Sequence, residues 1–163
     1  MVAKRKRPPK KTAGALTKDR VIRNYQFLFP VLINCELVRE VAEEKEKEKE
    51  PELFISAALK LLSRTKTLNV ALCQFQAGEQ VGELETLRVL ATYYVALRAD
   101  GVNEPEEDRL RELLAQNASV SAWPLFRTLF AQLVAQANEA LPLLPTETDF
   151  RWEEMDSDPA SKS

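Results

Sequence analysis

The sequence has 163 residues, of which 45% are hydrophobic and 29% charged, a composition typical of one soluble domain with a hydrophobic core. The net charge of -2 conceals two regions of opposite sign: residues 1–20 carry eight Lys or Arg and one Asp, whereas the remaining chain carries fifteen basic and twenty-four acidic side chains. No apolar run approaches the roughly 18 residues of a membrane span, and the basic start leads into no apolar signal core, so we expect a cytoplasmic protein without membrane insertion.

The residue types on which most catalytic and metal sites depend are missing. The chain has no histidine, the commonest general base and metal ligand. Its four glycines form no phosphate-binding loop. Cys35 and Cys73 show no CxxC spacing and no basic neighbour at a recognisable spacing, so we expect two ordinary buried thiols in a reducing compartment. The sequence therefore predicts a protein that is not an enzyme and that needs no metal or cofactor.

The two ends differ in charge from the middle. Residues 1–19 are predicted to be a disordered basic arm, residues 20–152 the folded domain, and residues 153–163 a disordered acidic tail. Within the arm, residues 4–11 read Lys-Arg-Lys-Arg-Pro-Pro-Lys-Lys, which suits nucleic-acid contact or a targeting tag. A solvated arm without a partner is the favoured interpretation, because no aromatic side chains interleave the charges.

Four segments show the two-residue alternation of β-strands. They are residues 25–37, 53–64, 68–76 and 87–100. Pro30 lies inside the first, which indicates an edge, a bulge or a bend there. The second also suits a helix, but its neighbours favour a strand. Ala77 and Gly78 are predicted to form the turn after the third, and Gly101 to end the fourth. The Lys/Glu run at residues 43–51 is predicted to be a hydrated connection between strands.

The last third of the chain has helical periodicity. A short helix is predicted near Pro105, and its apolar edge is made of Leu110, Leu113 and Leu114. A longer helix is predicted from Pro124 to Leu141, with an apolar stripe wider than one covering sheet needs. The apolar loop Leu-Pro-Leu-Leu-Pro at residues 141–145 follows, and then a short helical segment near Trp152. Strands first and helices last predict an α+β fold with a four-stranded antiparallel sheet covered on one side.

These features together resemble the SecB family of export chaperones. The resemblance covers residues 20–152 and is motif-like over residues 117–150, where Asn-Ala leads into Trp-Pro, an Arg follows in the first turn, and the Leu-Pro loop and a Phe come after. Residues 25–28 (Tyr-Gln-Phe-Leu) and Glu36 are similar to the family's first strand.

The resemblance implies an ATP-independent holdase that keeps unfolded polypeptides from aggregating, either for protein export or for a dedicated client such as an antitoxin. It also implies a homo-tetramer built as a dimer of dimers, with sheets pairing between subunits. The implied interface residues on the long helix are Leu125, Phe126, Leu129, Phe130 and Leu133. The implied client-binding residues are Leu141, Leu143, Leu144, Phe150, Trp152, Val38, Val41 and Phe54. Each of these has the alternative role of capping the chain's own core.

The sequence departs from the family in three places. The charge run at residues 43–50 replaces an apolar connection, the basic arm is unusual, and a tail without Cys or His gives no support for a zinc-containing tail that binds a translocase motor. Two other classes of function therefore stay open. An oligomeric scaffold would share the helix but ignore unfolded chains. A nucleic-acid-associated protein would bind through the arm, and its binding would weaken steeply with salt.

Overall fold

The computed structural model describes residues 25–40, 50–101, 104–137, 141, 143–146 and 148–155. The predicted basic arm, most of the Lys/Glu run, Val41 and the chain beyond residue 155 lie outside the described residues.

Within the described residues, a sheet of six strands is the framework of the fold. Its strands are β1 (Tyr25–Phe27), β2 (Val31–Arg39), β3 (Glu52–Ser63), β4 (Leu68–Val81), β5 (Leu84–Ala99) and β6 (Trp152–Glu154). Both β1 and β2 pair with β5 at one edge, followed by β4, β3 and then β6 at the other edge. All pairs are antiparallel except β3 with β6, which is parallel. The prediction of four strands, all antiparallel, was thus wrong in number and at one edge.

Pro30 and Gly78 explain where the observed strands differ in extent from the predicted ones. The first predicted strand is interrupted around Pro30, where the sequence indicated an edge, a bulge or a bend, because a proline has no N–H for the ladder. The interruption separates β1 from β2 at the sheet edge. The predicted turn at Ala77 and Gly78 is wrong, because β4 continues to Val81 and turns at Gly82, whose φ is 67°. Gly78 instead marks a close approach between the backbones of β4 and β5.

The helices form one nearly continuous unit instead of the two separate helices predicted. Helix α1 (Glu107–Asn117) passes through a π-helical turn (Ala118–Ala122) into helix α2 (Trp123–Gln136). Asn117 is buried at the junction, and its Nδ2 donates a hydrogen bond to the carbonyl of Ala96 in β5 at 3.2 Å. This bond ties the irregular turn to the sheet.

The C-terminal end of the helical region also differs from the prediction. Helix α2 ends at Gln136, short of the predicted Leu141, and the predicted helical segment around Trp152 is wrong because those residues form β6. An extended backbone there gains ladder partners from Ala57 to Leu59 of β3, which is why a strand replaces the helix.

The helices cover one face of the sheet and enclose an aromatic core centred on Phe75. The ring of Phe75 contacts five others at centroid distances of 5.3–6.2 Å, namely those of Tyr93, Trp123, Phe126, Phe150 and Trp152. The predicted apolar edge of α1 is buried here too. Cys73 is buried as predicted and its pKa is raised by burial, whereas Cys35 of β2 is exposed, contrary to the prediction. Among the described elements, the helices pack mainly on β3, β4 and β5.

Candidate functional site

On the helix-facing side of the sheet, the apolar surface extends onto β2, which the helices leave exposed. Leu32 pairs with Tyr93, and Leu37 pairs with Val89. Because directly paired residues share a face, both leucines lie on the helix-facing side. Tyr93 and Val89 are buried, but Leu32 is 45% and Leu37 38% exposed. We call Leu32, Cys35 and Leu37 the β2 shelf.

The β2 shelf continues into further exposed apolar side chains and an open strand edge. Phe29 precedes β2 and is largely exposed, and Ile33 lies at a register shift between Leu32 and Asn34. Within the described part of the chain, β2 pairs only with β5, so its outer edge has backbone donors and acceptors without a ladder partner.

A second surface lies between α2 and the loop that follows it. Leu143 is 82% exposed and lines a cavity of about 460 Å³, which we call the loop groove. The other residues of the loop groove belong to α2: Arg127, Thr128, Ala131, Gln132 and Ala135. The loop is held to the helix because Arg127 Nε donates to the carbonyl of Leu144 at 3.0 Å and Trp123 Nε1 donates to that of Pro145 at 3.2 Å. Leu144 is buried, so the loop turns Leu143 outward.

A third concave surface, the C-terminal groove, lies between α1 and β6. It has a volume of about 610 Å³. Its apolar wall is formed by Leu59, Ala115, Phe150 and Trp152. Its polar lining residues are Asp108, Arg111, Glu112, Gln116, Ser119, Thr148, Asp149, Glu153 and Glu154. Arg111 bridges the groove's two sides, with Nη2 at 3.3 Å from Glu107 and at 3.2 Å from Glu154.

The structure places the predicted client-binding residues on both faces of the sheet. Phe150 and Trp152 come together, with ring centroids 5.4 Å apart, and Leu141 packs against the same core. Phe54 and Val38 lie on the opposite face, because Phe54 pairs with Gly78, Gly78 with Arg88 and Arg88 with Val38. One chain therefore does not gather all these residues into one groove.

The predicted interface residues on α2 divide into two lines. Phe126 and Phe130 point into the chain's own core and are buried. Leu125 is exposed, and Leu129 and Leu133 are half-buried beside it, so this second line is the one available to a partner. It accounts for the width of the apolar stripe predicted from the sequence.

The β2 shelf was missed by sequence reasoning. Strict alternation places Leu32 and Cys35 on opposite faces, but the register shift at Ile33 puts both on the helix-facing side. A signal was present, since the second face of the predicted strand was already partly apolar at Leu28 and Leu32.

Among the described residues, no group of three or more His, Cys, Asp or Glu side chains is arranged to hold a metal ion. None of the described helices is both long and apolar enough to cross a membrane.

These elements define an α+β protein whose sheet, antiparallel but for one short edge strand, is covered on one face by a pair of joined helices. No protein-family model and no curated protein matches the sequence. Among solved structures, the chain is similar to a Mycobacterium tuberculosis SecB-like chaperone in complex with a ChAD peptide from an antitoxin. The identity is 14% and the TM-score 0.60, over 80% of this chain and 94% of that one. This likeness shows that the chain has a SecB-like fold and confirms the fold implied by the sequence resemblance.

The chain is also similar to a Streptococcus agalactiae protein of unknown function, with 10% identity and a TM-score of 0.46 over 74% of this chain and 96% of that one.

Proposed function

We propose that this protein is an ATP-independent holdase chaperone that binds unfolded polypeptides through exposed apolar surface. The observation that carries the proposal is the β2 shelf, where Leu32 and Leu37 are exposed although the residues paired with them are buried. A contiguous apolar surface left open in this way is typical of a protein-binding site. The unpaired edge of β2 also offers main-chain hydrogen bonds to an extended client, as in β-strand addition.

The loop groove is the second client-binding surface in this proposal. Leu143 is held outward by the buried Leu144 and by the hydrogen bonds from Arg127 and Trp123 to the loop. A rigid, exposed leucine loses little conformational freedom on binding, so more of its apolar contact contributes to affinity. The likeness to a SecB-like chaperone in complex with an antitoxin peptide supports a polypeptide as the ligand.

We further propose that the chain is cytoplasmic and works as a homo-oligomer, a dimer of dimers, in protein export or with a dedicated client such as an antitoxin. The line of Leu125, Leu129 and Leu133 on α2 is the candidate interface, because these side chains are only partly covered by the chain's own core. Burying an apolar line of this kind stabilises an obligate oligomer through the same transfer free energy that stabilises a core.

The experiment that tests the function is light scattering of an unfolded, aggregation-prone client, with and without this protein, without ATP and at low and high salt. A holdase suppresses aggregation at stoichiometric amounts and keeps doing so at high salt, since apolar contacts are not screened. Absence of suppression by the unaltered chain would contradict the chaperone proposal and favour the scaffold. Loss of an interaction with added nucleic acid at high salt would instead support the nucleic-acid alternative.

Two aspartate substitutions test the surfaces, with a third as the matched control. Leu37→Asp removes the β2 shelf and Leu143→Asp the loop groove, whereas Leu68→Asp alters an exposed leucine on the opposite face. A buried leucine is worth about 1.5–3 kcal/mol, so each of the first two variants should need roughly ten-fold more protein for half-suppression. The control should behave as the unaltered chain. Full suppression by both test variants would show that clients bind elsewhere.

A further inference from the structure

The C-terminal groove carries unbalanced negative charge. Five carboxylates line it, and among its described lining residues Arg111 is the sole cation. That guanidinium is already paired with Glu107 and Glu154. Asp108, Asp149 and Glu153 have no cationic partner among the described residues, so the rim of the groove presents acceptors to a basic ligand.

The wall of the same groove is apolar and aromatic. Phe150 and Trp152 are half-buried and contact each other, so part of both rings faces the cavity. Aromatic surfaces of this kind accommodate proline rings and the aliphatic stems of Lys and Arg, and they attract the cationic heads. A basic, proline-containing segment in extended conformation matches both the rim and the wall.

The chain itself contains such a segment. Residues 1–24 hold nine Lys or Arg and one Asp, and Pro8 and Pro9 stand in the middle of the densest basic run. These two prolines favour a polyproline II conformation for residues 7–9, which costs little entropy to dock.

The basic run is attached close enough to reach the groove. It joins β1 at Tyr25, whose pKa is raised by burial and by Asp100 and lowered by Arg109, so Tyr25 lies near α1. Arg109 is the direct neighbour of Asp108 on the rim. The 13 residues between the basic run and β1 extend to about 45 Å at full stretch. This exceeds the roughly 30–35 Å from Tyr25 to Trp152 that follows from four strand spacings across the sheet and eight residues along the strands.

We propose that the basic arm of this chain docks in its own C-terminal groove, with Pro8 and Pro9 against Trp152 and Phe150 and with residues 4–11 paired to the rim carboxylates. Tethering raises the effective concentration of the arm to about the millimolar range, so weak ion pairs and one proline contact suffice to hold it. This inference does not depend on the chaperone proposal, because it concerns a contact within one chain.

Zero-length carbodiimide cross-linking of the full chain tests the contact, because it joins a lysine amine only to a carboxylate that it touches. At low salt, mass spectrometry should find Lys4, Lys6, Lys10 and Lys11 linked mainly to groove carboxylates, and rarely to equally exposed acids elsewhere such as Glu36 and Glu83. Mixing isotopically light and heavy chains distinguishes links within a chain from links between chains. At 1 M salt, the links should fall at least about five-fold, because exposed ion pairs are screened.

A charge reversal and its matched control complete the test. In the double variant Asp149→Lys, Glu153→Lys, links to the three remaining groove carboxylates should also fall at least about five-fold, because the local potential changes sign. Glu83→Lys, at the tip of the β4–β5 hairpin, should leave them unchanged. Links spread evenly over exposed acids, links only between chains, or links to the groove unaffected by the double variant would each overturn the proposal. Circular dichroism of both variants verifies that they are folded.

Discussion

Gly78 offers the sharpest test of the described packing, because it lies in a central strand where a side chain has no room. A Cβ built on Gly78 lies 1.9 Å from the carbonyl oxygen of Leu87 and 3.0 Å from the Cα of Arg88. Both atoms are backbone atoms of β5, which is paired with β4 along nearly its whole length. We therefore predict that Gly78→Ala forces the two central strands apart locally instead of shifting a flexible side chain.

The size of the effect follows from this geometry. Relieving the overlap requires the backbone to move by more than about 1 Å, and smaller overpacking already lowers the free energy of unfolding by about 1–3 kcal/mol. Gly78→Ala should therefore lower the free energy of unfolding by about 3 kcal/mol or more. The matched control is Gly101→Ala. Among the described residues, a Cβ at Gly101 would meet only Thr67 Cγ2 at 3.4 Å, but the φ of +82° makes alanine unfavourable there by about 1–2 kcal/mol.

Urea unfolding followed by far-ultraviolet circular dichroism measures both variants, at one fixed protein concentration because oligomerisation contributes to apparent stability. For slopes of about 2 kcal/mol per molar urea, Gly78→Ala should lower the midpoint by about 1.5 M and Gly101→Ala by about half as much. A midpoint for Gly78→Ala equal to or above that of Gly101→Ala would refute the close approach of β4 to β5.

Two further predictions concern the core and the α2 surface. Burial raises the pKa of Tyr93 to about 12, with smaller contributions from the nearby Cys73 and Cys35. As the pH rises, the phenol of Tyr93 therefore loses its proton in the unfolded chain before it does so in the folded chain. Between pH 10 and 12, Tyr93 should therefore lower the free energy of unfolding by about 1.4 kcal/mol per pH unit, in addition to the fall that the buried Cys73 thiol contributes in the same direction. Urea titrations at each pH should show the total slope reduced by about this amount in Tyr93→Phe and unchanged in Tyr94→Phe. Leu125→Asp should lower the native mass measured by light scattering, because it places a charge in the proposed interface, whereas Ala135→Asp, at an exposed position on another side of α2, should not. An unchanged mass in Leu125→Asp would contradict the interface.

The strands and the core were largely predictable from local pattern. Two-residue alternation located β3, β4 and β5 to within a few residues, except where β4 and β5 run further into their hairpin. Helical spacing identified Leu110, Leu113 and Leu114 as buried. Both patterns are visible in the sequence because a strand or helix with one buried face carries apolar side chains at the spacing that brings its backbone back to that face.

The predictions that were wrong concern residues whose structure depends on contacts with a segment distant in the sequence. Gly78 was predicted to be in a turn, but it lies in a strand because the backbone of β5 passes too close for a side chain. The segment at Trp152 was predicted to be helical, but it is a strand because the edge of β3 provides ladder partners. Cys35 was predicted to be buried, but it is exposed because the helices pack mainly on β3, β4 and β5. None of these neighbours is close in the sequence.

The candidate sites depend on the same distinction. The sequence by itself determined that residues 141–145 form an apolar loop and that the stripe on α2 exceeds what one sheet covers. Only the tertiary structure decided that Leu143 is exposed while Leu144 is buried, that Val38 and Phe54 lie on the face opposite the helices, and that the β2 shelf exists. Apolar character is a property of the residue, whereas exposure is set by which other parts of the chain pack over it.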